Sequence, residues 1–446
     1  MNSGTRLGGS ETRLAVRPRK APELGPARAE ARSDLAQRLL ALGRTEESLR
    51  LLREELLVFG SDGLSWFQAL ISDRLGAGDL TQAGAYAALL AELRWGSAWY
   101  PSRRDTASIV APVQTPTRRL TAFKLEHDRE QFAYLRRRGV LGPEFIAIEE
   151  KYRHIASQLK ATGGDTGVTL NAVDHPDINP VYNRIVHIRT SPRVSRALCG
   201  QWNASSLEDE YLSSPPGIVV VDDFLSHECL RELQLFCLES TVWLTNRYAR
   251  GRLGAFFQDG FNCPLLLQIA QELRAALPRV IGDRYPLRQM WAFKHTQEGS
   301  AQGNTHADFA AVNVNFWITP TQANLDPGSG GLLIYNLCAP RHWTFDVYNR
   351  RADLIARYLR ERNVRPLRIP YRENRAVIFN ADLFHGTDAL RFRTDYESQR
   401  VNVTMLYGNR ENDSHHPPVP VKEPIESAPF RRSALRSQVF SRSRRG

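Results

Sequence analysis

The chain has 446 residues, 42% apolar and 24% charged, a balance that fits a globular protein with more than one core. Its formal net charge is +11, yet residues 1–30 hold six Arg or Lys against three Glu, and residues 422–446 hold seven against two. The two ends thus carry +8 of the charge, and a polyanion-binding reading of the body loses most of its support.

No apolar run approaches the roughly 18 residues of a membrane span, and Gly217–Val221 is only strand-length. Five cysteines without a CxxC pair read as thiols of a reducing compartment. The basic N-terminus is followed by no apolar leader, so a cytoplasmic location is expected.

Residues 1–30, rich in Arg, Gly, Pro and Ser, are predicted to be disordered. Residues 31–161 read as an all-α unit. Leu35, Leu39, Leu40 and Leu42 recur at helical spacing, and Leu49, Leu51, Leu52, Leu56 and Leu57 follow a break at Gly43. Leu42-Gly43-Arg44 is echoed by Gly76-Ala77-Gly78-Asp79 about 35 residues on, a period that resembles tetratricopeptide helix pairs. A plain helical bundle with glycine turns fits the same pattern. Further helices are predicted over 120–138 and 144–161.

Residues 162–216, punctuated by Pro176, Pro180, Pro192 and Pro215-Pro216, read as an ordered connection. From Gly217 to residue 411 the pattern turns to short strands separated by Gly/Pro turns, with helices predicted at Cys229–Leu238, Leu265–Leu277 and Arg351–Arg362. Strand-like runs are Gln289–Lys294, Ala311–Ile318, Gly331–Asn336, Ala376–Phe379 and Val401–Tyr407. The fold class is therefore α+β: an all-α N-terminal unit followed by a β-sandwich or jelly roll. Residues 412–446 read as a second disordered basic tail.

One constellation carries chemistry. His306-Ala307-Asp308 stands before the strand Ala311–Ile318, His385 follows Ala376–Phe379, and Arg400 opens Val401–Tyr407. In extended backbone, residues i and i+2 share a side, so His306 and Asp308 can face one ion. Two imidazoles and one carboxylate form the facial donor set of non-haem iron(II) sites, with coordination positions left open. Arg400 offers a cationic fork for a carboxylate. A lone H-x-D is a cheap pattern; His175-Pro176-Asp177 also matches it, in a Pro-rich connection with no following strand.

These residues resemble the Fe(II)/2-oxoglutarate-dependent oxygenases, whose double-stranded β-helix carries H-x-D…H…R. The resemblance covers residues 217–411 and includes Trp317-Ile318-Thr319-Pro320 followed by Gly330-Gly331-Leu332. It implies that His306, Asp308 and His385 bind iron and that Arg400 holds the distal carboxylate of 2-oxoglutarate. Asn402 and Asn315 are implied as further cosubstrate contacts, with Asn313 and Trp291 on barrel-lining strands. Arg391 and Arg393 compete for the arginine role; Arg400 is preferred because it alone enters an apolar strand. The implied reaction consumes 2-oxoglutarate and O2, releases succinate and CO2, and hydroxylates a C–H bond, with ascorbate as a candidate reductant. Asp308 favours hydroxylation over halogenation, since related halogenases carry a small residue there.

The first substrate reading is a peptide, protein or carrier-bound group docked by the N-terminal helices. The alternative is a free small molecule such as an amino acid or natural-product intermediate. The helix Leu354–Leu359 and the loop Phe256–Gly260 are candidate walls. Arg400-Val401-Asn402-Val403-Thr404 also resembles the R-x-N-x-T strand of nucleic-acid demethylases, but Leu406 stands where those carry a second arginine, so nucleic acid is disfavoured. A non-enzymatic scaffold would require the whole ligand set to be coincidental.

Overall fold

A computed structural model describes residues 44–96, 119–162, 168–171, 174–247, 251–295 and 305–410, with scattered positions between 32 and 42. The basic tails at 1–30 and 412–446 lie outside the described residues.

Branched and aromatic residues at alternating positions build the strands. In chain order these are β1 (Arg119–Leu120), β2 (Val168–Thr169), β3 (Ile218–Val221), β4 (Arg252–Phe256), β5 (Leu287–His295) and β6 (Val312–Trp317). Then follow β7 (Leu332–Cys338), β8 (Pro366–Ile369), β9 (Ala376–Asn380), β10 (Leu383–Thr387) and β11 (Arg400–Tyr407). The helices are α1 (Thr45–Gly76), α2 (Leu80–Trp95), α3 (Ala122–Arg137), α4 (Phe145–Ala161), α5 (Ala204–Ser213), α6 (His227–Glu239), α7 (Pro264–Ala276) and α8 (Ala352–Glu361).

The large sheet has the order β3-β9-β6-β11-β5-β4 and the small sheet the order β10-β7-β8. From β5 onward the chain passes back and forth between them: β6, β9 and β11 join the large sheet, whereas β7, β8 and β10 form the small one. All the strand pairs are antiparallel. This is the expected jelly-roll arrangement, packed as two facing sheets.

The central strands β6, β9 and β11 of the large sheet present two buried faces of different character. The outer face, with Val401, Val403, Met405, Val312, Val314 and Phe316, packs against α1, α2, α6 and α7 in one apolar cluster. The inner face, with Trp317, Val377 and Phe379, meets Leu332, Ile334 and Ile369 of the small sheet. Helix ends follow ordinary capping rules: Ser226 accepts from the Cys229 N–H at 3.2 Å, and Pro264 opens α7. Asn374, at φ 58°, clamps the start of β9 by bonding both the N–H and the C=O of Leu225.

The helical unit departs from its sequence expectation. The break expected at Gly43 is followed by a continuous α1 of 32 residues, so the two hairpins expected from the 35-residue echo are one long helix and one shorter partner. The second turn does form, with Gly78 at φ 77° and Asp79 capping the Gln82 N–H at 3.0 Å. α2 lies on the barrel: Trp95 and Arg94 donate to Asp259 at 2.7 and 2.6 Å. Within the loop Phe256–Gly260, for which a substrate wall and simple packing are equally expected, Asp259 takes the packing role against α2. The sequence reading also lacked β1, β2, β4, β8, β10 and α5; the missed strands are two to five residues long, too brief for periodicity to mark.

One buried group strains this core. Lys294 on β5 points outward into the apolar cluster, fully buried, with its Nζ 3.3 Å from His127 Nε2 and 3.8 Å from the centroid of Tyr396. Nearby, Lys124 is neutralised by Asp128 at 2.6 Å, and His127 Nδ1 donates to the same carboxylate at 3.0 Å. Burial pushes the Lys294 ammonium down from 10.5 to about 7. The folded state therefore binds fewer protons than the unfolded chain between these two values, and stability rises with pH across that window. Relative to Lys294→Met, the wild type should gain about 2 kcal/mol between pH 7 and pH 9. Urea unfolding of both proteins at the two pH values measures this, and parallel pH profiles would contradict it.

Candidate metal centre

Backbone pairing assembles the donors. The His306 N–H donates to the His385 carbonyl at 2.9 Å, and the His385 N–H returns the bond at 2.8 Å. The Asp308 N–H donates to Ala381 O at 2.9 Å, so the H-x-D segment acts as a short extra strand along β10. His385 does not merely follow a strand, as expected; it sits within β10, whose turn from β9 carries it to the opposite sheet.

The side chains converge. His306 Nε2 lies 3.7 Å from Asp308 Oδ1, His385 Nε2 lies 3.4 Å from Asp308 Oδ2, and the imidazole centroids are 4.6 Å apart. One donor atom from each of the three residues falls within 4.8 Å of the others, the only such group among the described residues. Asp308 and His385 have side chains 5% exposed, against 27% for His306, so the approach is from the His306 side.

The supporting contacts prepare these atoms for a cation. His385 Nδ1 meets the Leu383 carbonyl at 2.9 Å, and since a carbonyl only accepts, that nitrogen carries the proton and Nε2 keeps its lone pair. Asn313 donates to Asp308 Oδ2 at 2.7 Å. Burial pushes the Asp308 carboxyl up, but the neighbouring His385 and His306 and the Asn313 amide together outweigh it and hold the group below its ordinary value. An ionised carboxylate with two imidazoles suits a borderline divalent metal such as Fe(II).

The second half of the site is Arg400, 1% exposed and the first residue of β11. Its Nε–H donates to Gly330 O at 2.7 Å, one terminal nitrogen donates to Asn402 Oδ1 at 2.9 Å, and the other reaches Gly331 O at 3.4 Å. No carboxylate pairs with it among the described residues. Two of the five N–H donors of its fork are left over. Burial lowers the guanidinium to about 10, opposed by Tyr371 and Asp388, so it remains charged at neutral pH. Trp317 and Tyr371 flank it at 5.8 and 5.9 Å.

The Gly330-Gly331 turn makes this contact possible. Gly330 has φ 82°, and a Cβ on Gly331 would stand 2.0 Å from Ile369 O. The competing Arg391 and Arg393 are both exposed. His175 and Asp177 stay at the surface, with Asp177 paired to Lys151 at 3.0 Å.

A polar ladder on the inner face of the large sheet joins the two halves. Asn313 touches Asp308, Asn315 donates to Thr404 at 2.9 Å, and Trp317 flanks Arg400. These are i, i+2 and i+4 of β6, spanning about 13 Å along one face. Asn313 Oδ1, Asn315 Oδ1 and Trp317 Nε1 are buried without a hydrogen-bond partner, an arrangement that suits a polar ligand lying along the ladder. Asn402 lies on the same face and accepts from Arg400. Tyr371 and the two glycine carbonyls were not singled out from sequence. Gly330-Gly331 was the available signal, read there only as a hairpin.

The sequence matches no protein-family model and no curated protein. Among solved structures, the chain is similar to a Pseudomonas putida prolyl-4-hydroxylase at 13% identity, over 49% of this chain and 99% of that one, with a TM-score of 0.29. It is similar to the epimerase SnoN in complex with Fe3+, alpha ketoglutarate and nogalamycin RO at 14% identity, over 52% and 96%, with a TM-score of 0.34. EctD from S. alaskensis with bound Fe is 16% identical over 51% and 85%, with a TM-score of 0.32.

Removing the Asn313 amide leaves Asp308 Oδ2 without its donor and free to rotate. Asn313→Ala should weaken Co(II) binding about 10-fold, read from the visible absorption of the cobalt protein. An unchanged titration would show that Asn313 does not orient the carboxylate.

Proposed function

We propose that the protein is an Fe(II)- and 2-oxoglutarate-dependent oxygenase that hydroxylates a C–H bond. One observation carries the reading. A three-residue donor set for a divalent metal and a buried guanidinium that forms no ion pair among the described residues stand at the two ends of one polar ladder. A structural arginine would be neutralised, because an uncompensated buried charge costs several kcal/mol. A dicarboxylate that spans the ladder meets both requirements, with one end among the metal ligands and the other on Arg400.

In this reading His306, Asp308 and His385 hold the iron. Arg400 offers its two remaining N–H groups to the distal carboxylate, and Asn402 fixes the orientation of the fork. Asn313 holds Asp308 in its coordinating rotamer, and Leu383 O holds the His385 ring. The bound iron and 2-oxoglutarate supply oxidative chemistry that inserts one oxygen atom of O2 into a substrate C–H bond, the other leaving in succinate as CO2 is released. Trp317 and Tyr371 keep the cosubstrate end dry, which strengthens the ion pair at Arg400.

The small-molecule substrate reading gains on the peptide one. The peptide reading leaned on a repeat array, whereas α1 and α2 bury Leu75, Tyr86 and Leu90 in the cluster shared with the barrel.

His385→Ala should abolish both Co(II) binding and succinate release from 2-oxoglutarate; full turnover in that variant would sink the assignment. Arg400→Ala should raise the 2-oxoglutarate concentration for half-maximal turnover at least 10-fold while leaving metal affinity within twofold. An unchanged cosubstrate requirement would remove Arg400 from the site.

A further inference from the structure

We propose that Asn349 is a positioning residue of the metal centre, its amide locking the peptide from which Asp308 reaches the ion. This rests on the metal centre of the oxygenase reading and deepens it. Two planar peptide units separate the Cα atoms of His306 and Asp308, and their orientation decides whether both side chains can meet one cation. Each unit is held at both of its ends. In the first, the His306 carbonyl accepts from the His385 N–H at 2.8 Å, and the Ala307 N–H donates to Tyr348 O at 3.0 Å. In the second, the Asp308 N–H donates to Ala381 O at 2.9 Å, and the Ala307 carbonyl accepts from Asn349 Nδ2 at 2.9 Å. Three of these four bonds join main chain to main chain. The fourth depends on one side chain.

The amide is itself well placed to hold. Asn349 belongs to a single π-helical turn, Asp346–Arg350, directly before α8. Single turns of this kind recur at functional sites. Its neighbour Tyr348 anchors the turn: the residue is 4% exposed, packs in one cluster with Ala307, Ile355 and Phe384, and carries the Arg410 guanidinium over its ring at 4.4 Å.

Ala307 is wholly buried. A buried carbonyl deprived of its donor turns toward another, and the peptide and the Asp308 side chain turn with it. Asn349 therefore differs in action from Asn313. Asn313 restrains the Asp308 carboxylate directly, whereas Asn349 restrains the backbone from which that carboxylate departs. Neither role follows from the spacing of the H-x-D segment.

The test uses the full-length protein and Co(II), whose visible absorption reports both affinity and coordination geometry. Asn349→Leu keeps the side-chain volume and removes the donor, Asn349→Ala removes both, and Asn349→Gln retains an amide. Affinity should fall at least 10-fold in Asn349→Leu and in Asn349→Ala, with a shifted band for the ion that still binds. Asn349→Gln should lie within threefold of the wild type. A purely structural role would lower the urea midpoint of the metal-free protein and leave the band of the bound ion unchanged. Affinity within twofold of the wild type in Asn349→Leu and Asn349→Ala, or a loss with an unaltered band, overturns the proposal. A wild type that binds no Co(II) overturns the metal centre and the oxygenase reading with it. Asn349-dependent Co(II) binding in a protein that, loaded with Fe(II), releases no succinate from 2-oxoglutarate supports the positioning role and overturns the oxygenase reading alone.

Discussion

The register of β11 is the constraint on which the rest of the site depends. This strand lies between β5 and β6, and its residues alternate between two buried environments. Arg400, Asn402 and Thr404 face the small sheet, while Val401, Val403 and Met405 face the helices. A slip of one residue would drive a guanidinium and an amide into the apolar cluster and leave valines among the polar groups. Pairing on both sides, along eight residues of β5 and six of β6, makes that slip prohibitive. The same pairing sets Arg400 at the end of the ladder that begins at Asp308.

Two buried cations on neighbouring strands show how differently one sheet can use charge. Arg400 faces inward and is cradled by carbonyls and an amide oxygen that position it without neutralising it. Its charge survives burial because the guanidinium starts far above neutrality. Lys294 faces outward between Tyr396 and Trp243, and a compact ammonium in that setting titrates near neutrality. The first arrangement is the one proposed to receive an anion. The second is a cost borne by the core, contained by the aromatic faces and by the neutral His127.

The metal donors owe their geometry to a different device, the bridging of two segments far apart in the chain. Reciprocal backbone bonds between His306 and His385 bring both imidazoles to one point, and the Asp308 N–H bond to Ala381 fixes the carboxylate beside them. Ala307, between the two donors, is packed with Phe384, Ile355 and Leu359, so α8 acts as a backing for the site.

Much of this was legible in the chain. His306, Asp308, His385 and Arg400 could be named because each donor type has a strand beside it, and strands with continuous apolar runs are the clearest local signal. Six of the labelled elements escaped: β1, β2, β4, β8 and β10 are short, and α5 lies in a Pro-rich connection whose composition hid it. The expected helical repeat is not confirmed, for a related reason. A glycine echo marks turns, and it does not say whether the intervening helix is continuous; α1 runs on because the apolar cluster of the barrel supports it. By itself, then, the sequence determined the donor chemistry and the alternation of the strands, since both reside in residue type and spacing. Only the tertiary structure decided that Asn313 serves Asp308, that Arg400 forms no ion pair among the described residues and that three rings, those of Phe256, Trp291 and Phe293, stand beside the ladder. Those relations join residues distant in the chain through sheet register, which long-range packing sets and local sequence does not encode.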